Sequence, residues 1–314
     1  MEKGILLIPG LIILLFCGEY LVRSSVAFAS HMRISSLVVG LVVVSFGTSA
    51  PELFVSLDAA ISGHPDISLG NVIGSNISNI SIVLALTVIV MPYVVNTSEL
   101  FKNWAIMVGV SILLFIFLYT GHEISRLEGI ALLIILVAFI LLSVISSRRE
   151  LRKDNAVHLQ PRFSLPVSIL IILVSSAGLA FGADLLVKGA TAVARLWGVS
   201  ERVISVSVIA LGTSLPELAT SAVAALRKQR EISIGNIIGS NIFNILAILG
   251  ITSAVRKISV SSFAKFSTDI IWMIAVSVLL FLLILPMKGS RLGRWKGFVL
   301  ASVYFVYIYI LFFH

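Results

Sequence analysis

Charged residues are scarce in this chain. They make up 12% of the 314 residues, against roughly 25% in ordinary soluble domains. Hydrophobic residues account for 58%, and the mean hydropathy is +1.09. A soluble domain of this size could not bury so much apolar surface. The composition therefore indicates a polytopic membrane protein that lies in a lipid bilayer.

Other features that the sequence lacks exclude further classes. Cys17 is the only cysteine, so neither a disulfide framework nor a thiolate metal cluster is possible. Segments of about ten residues with alternating polarity, which a transmembrane β-barrel needs, are missing. No polar segment is long enough for a nucleic-acid-binding domain, and we assign the net charge of +8 to basic cytoplasmic loops.

Long apolar runs fill the rest of the chain. A membrane-spanning helix needs ~20 mostly apolar residues, and such stretches recur along the whole sequence. They predict an all-α protein with ten transmembrane helices. The predicted spans are about 4–29, 34–62, 67–91, 103–120, 125–146, 164–187, 199–225, 231–253, 267–286 and 295–313.

The chain is duplicated. Shifted by 165 positions, GTSAPEL (47–53) falls on GTSLPEL (212–218), and ISLGNVIGSNISNI (67–80) falls on ISIGNIIGSNIFNI (232–245). RLEG (126–129) matches RWKG (294–297) at an offset of 168. The domains predicted from this are a first five-helix repeat, a cytoplasmic linker and a second five-helix repeat, at 1–146, 147–163 and 164–314.

Five spans per repeat is an odd number, so the second copy must enter the membrane from the opposite side. The two halves then form an inverted repeat. Placing both termini outside puts the basic linker and most loop Lys and Arg residues in the cytoplasm, as membrane proteins prefer. We expect a multi-pass protein of the plasma membrane.

Each GTSxPEL motif places a proline and a glutamate inside an apolar span. Pro51 and Pro216 lack an N–H and clash with the preceding turn, so they should break the helix. Lipid cannot satisfy the freed carbonyls, and such breaks are tolerated where they line a polar cavity. A glutamate at this depth normally pairs or binds something, which marks Glu52 and Glu217 as functional.

The GSNIxN motifs add a second polar run 27 residues after each first glycine. Ser75 shares a helix face with Asn79, and Ser240 shares one with Asn244, because each pair is four residues apart. Together the motifs offer carboxylates, hydroxyls, amides and freed carbonyls. Hard oxygen ligands of this kind suit Ca²⁺, Mg²⁺ or alkali ions.

At these motifs the sequence resembles the cation/calcium exchanger superfamily, the sodium/calcium exchangers and their prokaryotic relatives. GTSAPEL to GSNISN (47–79) corresponds to that family's α-1 repeat, and GTSLPEL to GSNIFN (212–244) to its α-2 repeat. The resemblance implies the ligands of the transported ions. They are acids at Glu52 and Glu217, carbonyls at Thr48, Thr213, Ser45 and Ala210, hydroxyls at Ser49, Ser75, Ser214 and Ser240, and amides at Asn79 and Asn244.

The resemblance also implies a function, a secondary antiporter that couples a Na⁺ gradient to Ca²⁺ transport by alternating access. It implies no enzyme activity and no cofactor apart from the transported ions, and we expect the monomer to be functional. Relatives that co-transport K⁺ carry Asp where this chain has Asn244, so we expect no K⁺ requirement. Exchange of Ca²⁺ or another divalent cation for H⁺ remains an alternative, as does a cation channel.

The topology leads to a first prediction. Because the linker is basic and each repeat has five spans, residue 155 should be cytoplasmic and residue 314 extracytoplasmic. An impermeant thiol reagent added outside intact cells should label a cysteine placed at 314 and spare one placed at 155. The opposite labelling pattern would overturn this orientation.

Overall fold

The protein is described from a computed structural model over residues 2–94, 97–153, 161–199, 210–260, 262–285 and 291–313. Within these residues, eight helices are long and apolar enough to cross a membrane, and a bent pair, Ser36–Thr48 with Ala50–Ile61, makes a ninth if counted as one span. The first part of the predicted seventh span lies outside the described residues, and its second part forms the shorter apolar helix Leu215–Leu226.

The first repeat is built of helices with two short strands. A 3-10 turn, Glu2–Leu6, precedes the first helix. The helices are α1 Leu7–Met32, α2 Ser36–Val39, α3 Ser45–Thr48, α4 Ala50–Ile61, α5 Pro65–Ser78, α6 Ala85–Val90, α7 Thr97–Gly121 and α8 Arg126–Lys153, and the strands are β1 Tyr93–Val94 and β2 Glu123–Ile124.

The second repeat has the same plan. Its helices are α9 Leu165–Leu196, α10 Ala210–Gly212, α11 Leu215–Leu226, α12 Arg230–Phe243, α13 Gly250–Val255, α14 Phe263–Ile284 and α15 Arg294–Phe313, and its strands are β3 Ile258–Ser259 and β4 Arg291–Leu292.

The helices break where the prolines predict. Helix α3 ends at Thr48, and Ser49 has φ −84° and ψ 8° before α4 begins at Ala50. In the second repeat Ser214 has φ −84° and ψ 3° before α11 begins. Both break residues lie two positions before the proline of the motif, whose ring prevents a continuous helix. The predicted interruption is confirmed in both copies.

The described residues include three π-helical segments that were not predicted. One, Gly40–Val44, joins α2 to α3. The others, Asn79–Leu84 and Asn244–Leu249, begin at the last asparagine of each GSNIxN motif and are related by the repeat offset of 165. π-Helical turns are rare and frequently lie at functional sites. Their recurrence at matching positions indicates that the motif itself requires them.

Packing divides the chain into two compact units, and each contains segments of both predicted repeats. The first unit is Met1–Pro51 with Leu142–Asn236, and the second is Glu52–Leu141 with Ile237–His314. These units follow side-chain packing, whereas the predicted boundaries at 146/147 and 163/164 follow sequence duplication. The division into repeats and linker stays a prediction.

In the first unit, α1 packs along α9 and also contacts α11. Its buried core includes Leu14, Leu21, Val44 and Leu179. Gly235 of α12 lies against α2, since an added Cβ would be 2.6 Å from the carbonyl oxygen of Leu37. A side chain at that position would push the two helices apart.

Ion pairs stabilise the polar ends of the first unit. Glu19 pairs with Arg23 one turn later, as the i,i+4 spacing indicates. The guanidinium of Arg227 also reaches Glu19, with nitrogen–oxygen distances of 2.8 and 2.7 Å. Asp184 and Lys188 pair at 2.7 Å. Both acids therefore pair with a base one turn later in their own helix, and Glu19 additionally joins α1 to the residue that follows α11.

In the second unit, short antiparallel strand pairs join the two repeats. β1 pairs antiparallel with β4, and β2 pairs antiparallel with β3. Each strand therefore pairs with a strand of the other repeat. The two sheets occupy equivalent positions, because the sequence repeat relates β1 to β3 and β2 to β4. Next to the β2–β3 pair, Lys257 and Ser259 donate to Glu123 at 2.9 and 3.1 Å and hold the pKa of that carboxyl below its usual range.

The RLEG and RWKG motifs make matching contacts within this unit. Arg126 donates to the carbonyl of Val255 at 3.3 Å, and Arg294 donates to that of Ile89 at 3.1 Å. Each arginine thus satisfies a carbonyl at the C-terminal end of a helix in the other repeat. The glycine of each motif lets its helix approach the backbone of a helix in the other repeat. A Cβ added at Gly297 would lie 2.7 Å from the carbonyl oxygen of Ala85, and one added at Gly129 would lie 2.9 Å from that of Gly250.

This packing leads to a second prediction. Gly129→Ala and Gly297→Ala should each lower the thermal unfolding temperature of the purified protein, because the new methyl group meets backbone atoms and overpacking costs about 1–3 kcal/mol. Gly109→Ala is the control, since no atom lies within 4 Å of an added Cβ there and alanine favours the helix. An unchanged midpoint in both test variants would contradict the close approach.

Candidate cation-binding site

The motif residues of the first unit are buried and connect the two repeats. Thr48 and Glu217 are fully buried, and Ser49 is 4% exposed. The hydroxyl of Ser49 donates to Oε1 of Glu217 at 3.1 Å. The break in the first GTSxPEL motif thus places its hydroxyl on the acid of the second. By its spacing of three residues, Ser49 would share a face with Glu52 in an unbroken helix.

A neighbouring asparagine fixes the side chain of Thr48. Thr48 Oγ1 donates to Oδ1 of Asn236 at 3.1 Å, and the Asn236 amide donates to Oγ of Ser221 at 2.9 Å. Ser233 also donates to the carbonyl of Ser221 at 2.9 Å. Since Asn236 uses both its oxygen and its nitrogen, it holds the broken helix against α11 and α12.

The second unit contains the repeat-related arrangement. The amide of Asn71 donates to Oγ of Ser56 at 2.9 Å and to the backbone carbonyl of Glu52 at 3.3 Å. Asn71 and Ser56 match Asn236 and Ser221 at the repeat offset. The Glu52 carbonyl that accepts from Asn71 lies within α4, and the Glu52 side chain is fully buried.

The GSNIxN motifs meet in the same unit. Asn76 donates to the carbonyl of Asn241 at 3.2 Å, and Asn244 donates to Oδ1 of Asn76 at 2.9 Å. Ser75, Asn79, Ser240 and Asn244 are all at most 3% exposed. The two motifs therefore contact each other between α5 and the segment around Asn244.

Several predicted ligand atoms are buried and have no hydrogen-bond partner among the described residues. They are Ser214 Oγ, Ser240 Oγ, both amide atoms of Asn79, and Asn244 Oδ1. A buried polar atom without a partner costs about 1–3 kcal/mol, and proteins retain such atoms where a ligand satisfies them. Except for the Asn79 nitrogen, these atoms are oxygens, which fits hard cations.

The predicted site residues fall into two sets. Glu52, Ser75, Asn79, Ser240 and Asn244 belong to the second unit. The first unit holds the remaining ones, Ser45, Thr48, Ser49, Ala210, Thr213, Ser214 and Glu217. Thr213 is half-buried, and Ala210 begins the short helix α10. Within the described residues, His, Cys, Asp and Glu form no group of three or more that could hold a metal ion.

Sequence reasoning missed the residues that support this site. Asn71, Asn236, Ser56 and Ser221 hold the broken helices, and Asn76 and Asn241 join the GSNIxN motifs. Their signal was present: each is repeated at the offset of 165. These side chains are uncharged, so duplication of their polar groups, and not charge, is the feature that distinguishes them.

Comparison with known proteins identifies the family. The sequence model described as "Sodium/calcium exchanger protein" matches residues 3–145 and 167–313. The chain belongs to this family. The two matched segments agree with two five-helix repeats, and the chain is a multi-pass membrane protein.

Related chains match over nearly the whole length. The chain is 32% identical to the putative antiporter CaxA of Alkalimonas amylolytica over 98% of both chains. It is 29% identical to the sodium/calcium exchanger MaX1 of Methanosarcina acetivorans, also over 98% of both. The structure of the sodium–calcium exchanger NCX_Mj soaked with Na⁺ and Ca²⁺ superposes with a TM-score of 0.81 at 30% identity, covering 98% of each chain.

Proposed function

We propose that this exchanger moves Ca²⁺ across the membrane in exchange for Na⁺, by alternating access. The observation that carries the proposal is the duplication of a buried glutamate directly after a broken helix, at Glu52 and Glu217. The family, the name of MaX1 as a sodium/calcium exchanger, and the similarity to the sodium–calcium exchanger NCX_Mj soaked with Na⁺ and Ca²⁺ support this activity.

Charge balance explains why the two ions compete. Two ionised glutamates carry −2, which one Ca²⁺ or two Na⁺ neutralise. A third Na⁺ would leave a net charge of +1, so exchange of three Na⁺ for one Ca²⁺ would move charge across the membrane. Both ions prefer oxygen ligands, and the two repeated motifs of this chain supply carboxylates, hydroxyls, amides and carbonyls.

The hydrogen bonds of the first unit indicate how binding begins. Ser49 donates to Oε1 of Glu217, so a cation bound by that oxygen would share it with the hydroxyl or displace the hydroxyl. The Ser49 oxygen retains lone pairs and can then turn towards the ion. We propose Glu52, Glu217, Thr48, Thr213, Ser45 and Ala210 as Ca²⁺ ligands, and Ser49, Ser75, Ser214, Ser240, Asn79 and Asn244 as ligands of Na⁺ or of both ions.

We further propose that the monomer acts in the plasma membrane with both termini extracytoplasmic. The inverted repeat gives one chain both halves of an alternating-access carrier. A channel, by contrast, commonly builds its oxygen ring from several subunits. Exchange of Ca²⁺ for H⁺ on the same scaffold is distinguished from Na⁺ coupling by flux measurements.

Flux measurements with single ion gradients test the function. Purified protein in vesicles should accumulate Ca²⁺ when an outward Na⁺ gradient is imposed, and should do so without K⁺ at a clamped voltage. Uptake driven by a pH gradient alone would favour the Ca²⁺/H⁺ alternative. Ca²⁺ entry that never exceeds electrochemical equilibrium would favour a channel. Loss of uptake on removing K⁺ would contradict the expectation drawn from Asn244.

Substitution of each glutamate by glutamine tests the site. Glu52→Gln and Glu217→Gln keep size and hydrogen bonding but remove one of two negative charges, and one charge cannot balance a divalent ion in a low-dielectric site. Na⁺-dependent Ca²⁺ uptake should fall at least about tenfold in each, as expected for loss of a charged ligand.

Asp58→Asn is the control for this pair. Asp58 is an exposed acid on α4, six residues after Glu52, and its repeat position is Val223. The Asp58→Asn variant should transport Ca²⁺ like the parent protein. All variants must elute as single species from size-exclusion chromatography. Parental transport by either glutamine variant would refute the assignment of the two acids.

A further inference from the structure

The middle asparagine of each GSNIxN motif has no role among the proposed ligands. Asn76 and Asn241 are each 1% exposed, and each lies three residues before the asparagine proposed to bind a cation. Burying an amide costs free energy unless its oxygen and nitrogen both find partners. The partners of these two amides differ, and the difference defines a role for Asn76.

The orientation of Asn76 is fixed by a backbone carbonyl. Its side-chain nitrogen faces the carbonyl oxygen of Asn241 at 3.2 Å. A carbonyl can only accept a hydrogen bond, so the branch of Asn76 that faces it must be the NH₂ group. The other branch of Asn76 is therefore the oxygen, which is an acceptor only.

This oxygen in turn fixes Asn244. Asn244 Nδ2 donates to Asn76 Oδ1 at 2.9 Å, and the reverse orientation would bring two oxygens together. Asn244 Oδ1 is consequently the branch directed away from Asn76. It is buried and has no hydrogen-bond partner among the described residues. An oxygen attracts a cation, whereas the NH₂ group of a flipped amide would repel it.

We propose that Asn76 is a positioning residue that sets the amide of Asn244 so that its oxygen, and not its nitrogen, is available to the transported cation. The chain of bonds runs from the Asn241 carbonyl through Asn76 to Asn244, and all three residues lie in the second unit. The inference rests on the proposed function, since it requires that the exposed oxygen meets a cation.

The repeat-related amides are arranged differently. The side chain of Asn241 donates to the carbonyl of Ile237, one turn back in its own helix, at 2.8 Å. It does not orient Asn79, whose two amide atoms have no partner among the described residues. Positioning by the middle asparagine is thus present once in this structure, for Asn244.

The chemistry at position 244 provides a diagnostic test. With Asn244, loss of Asn76 frees the amide to flip and to present NH₂ to the ion. With Asp in its place, both branches are oxygens and orientation no longer matters, and the Asn76 oxygen would face a carboxylate oxygen. Removing Asn76 should therefore harm the protein with Asn244 and leave the Asn244→Asp protein unharmed.

The experiment measures the Kd for Ca²⁺ at equilibrium, in detergent without Na⁺. The four proteins are the parent, Asn76→Ala, Asn244→Asp and the double variant. Asn76→Ala should raise the Kd about tenfold in the parent, as expected for one hydrogen bond, and less than about twofold in the Asn244→Asp background. Ser111→Ala is the control for losing a buried hydroxyl, since Ser111 bonds only to the carbonyl of Met107 in its own helix.

An equal rise of the Kd in both backgrounds would mean that Asn76 only packs, and no rise with Asn244 would remove its positioning role. Either result overturns the inference while the parent still binds Ca²⁺. If the parent binds no Ca²⁺, the proposed function fails and the inference fails with it. Asn76→Ser replaces Asn76→Ala in the same comparison if the alanine variant does not elute as a single species.

Discussion

The cost of placing a charge in hydrocarbon is the constraint on which this structure depends. Glu52 and Glu217 are fully buried in helices whose surroundings are apolar, and an intramembrane acid persists only with partners that offset its desolvation. The prolines before them open the helices, and the hydroxyls and amides nearby are held in place by further hydrogen bonds. Each of these features is costly in lipid by itself, and within each unit they supply buried oxygen atoms of the kind that suits a cation.

The asparagine-to-serine hydrogen bonds beside the broken helices are duplicated. The Asn71–Ser56 and Asn236–Ser221 bonds are both 2.9 Å long and occupy matching repeat positions. The bonds among the GSNIxN asparagines are not duplicated, because Asn76 orients Asn244 while Asn241 turns back to its own helix. The support of the broken helices by these asparagines is therefore repeated, whereas the bonding of the GSNIxN asparagines is not.

Much of this architecture could be predicted from the sequence, because lipid imposes simple rules. Span length, the helix breaks at Pro51 and Pro216, and the ion pairs of Glu19 and Asp184 all follow from local spacing. The π-helices at Asn79 and Asn244 could not be predicted, since nothing in their apolar residues distinguishes them from α-helix. The strand pairs that join the repeats and the Ser49–Glu217 bond depend on contacts between distant segments. A one-dimensional pattern identifies the participants in such contacts and leaves their partners open.

The central claim is that Na⁺ and Ca²⁺ occupy the same oxygen ligands and are held by the same two negative charges. Equilibrium binding of radioactive Ca²⁺ to the purified protein, titrated with Na⁺ at constant ionic strength, tests it most directly. If the two ions share these ligands, Na⁺ should displace Ca²⁺ competitively with a Hill coefficient for Na⁺ above one, and excess Ca²⁺ should restore binding fully. Ca²⁺ binding that is unaffected by Na⁺, or that excess Ca²⁺ fails to restore, would contradict it.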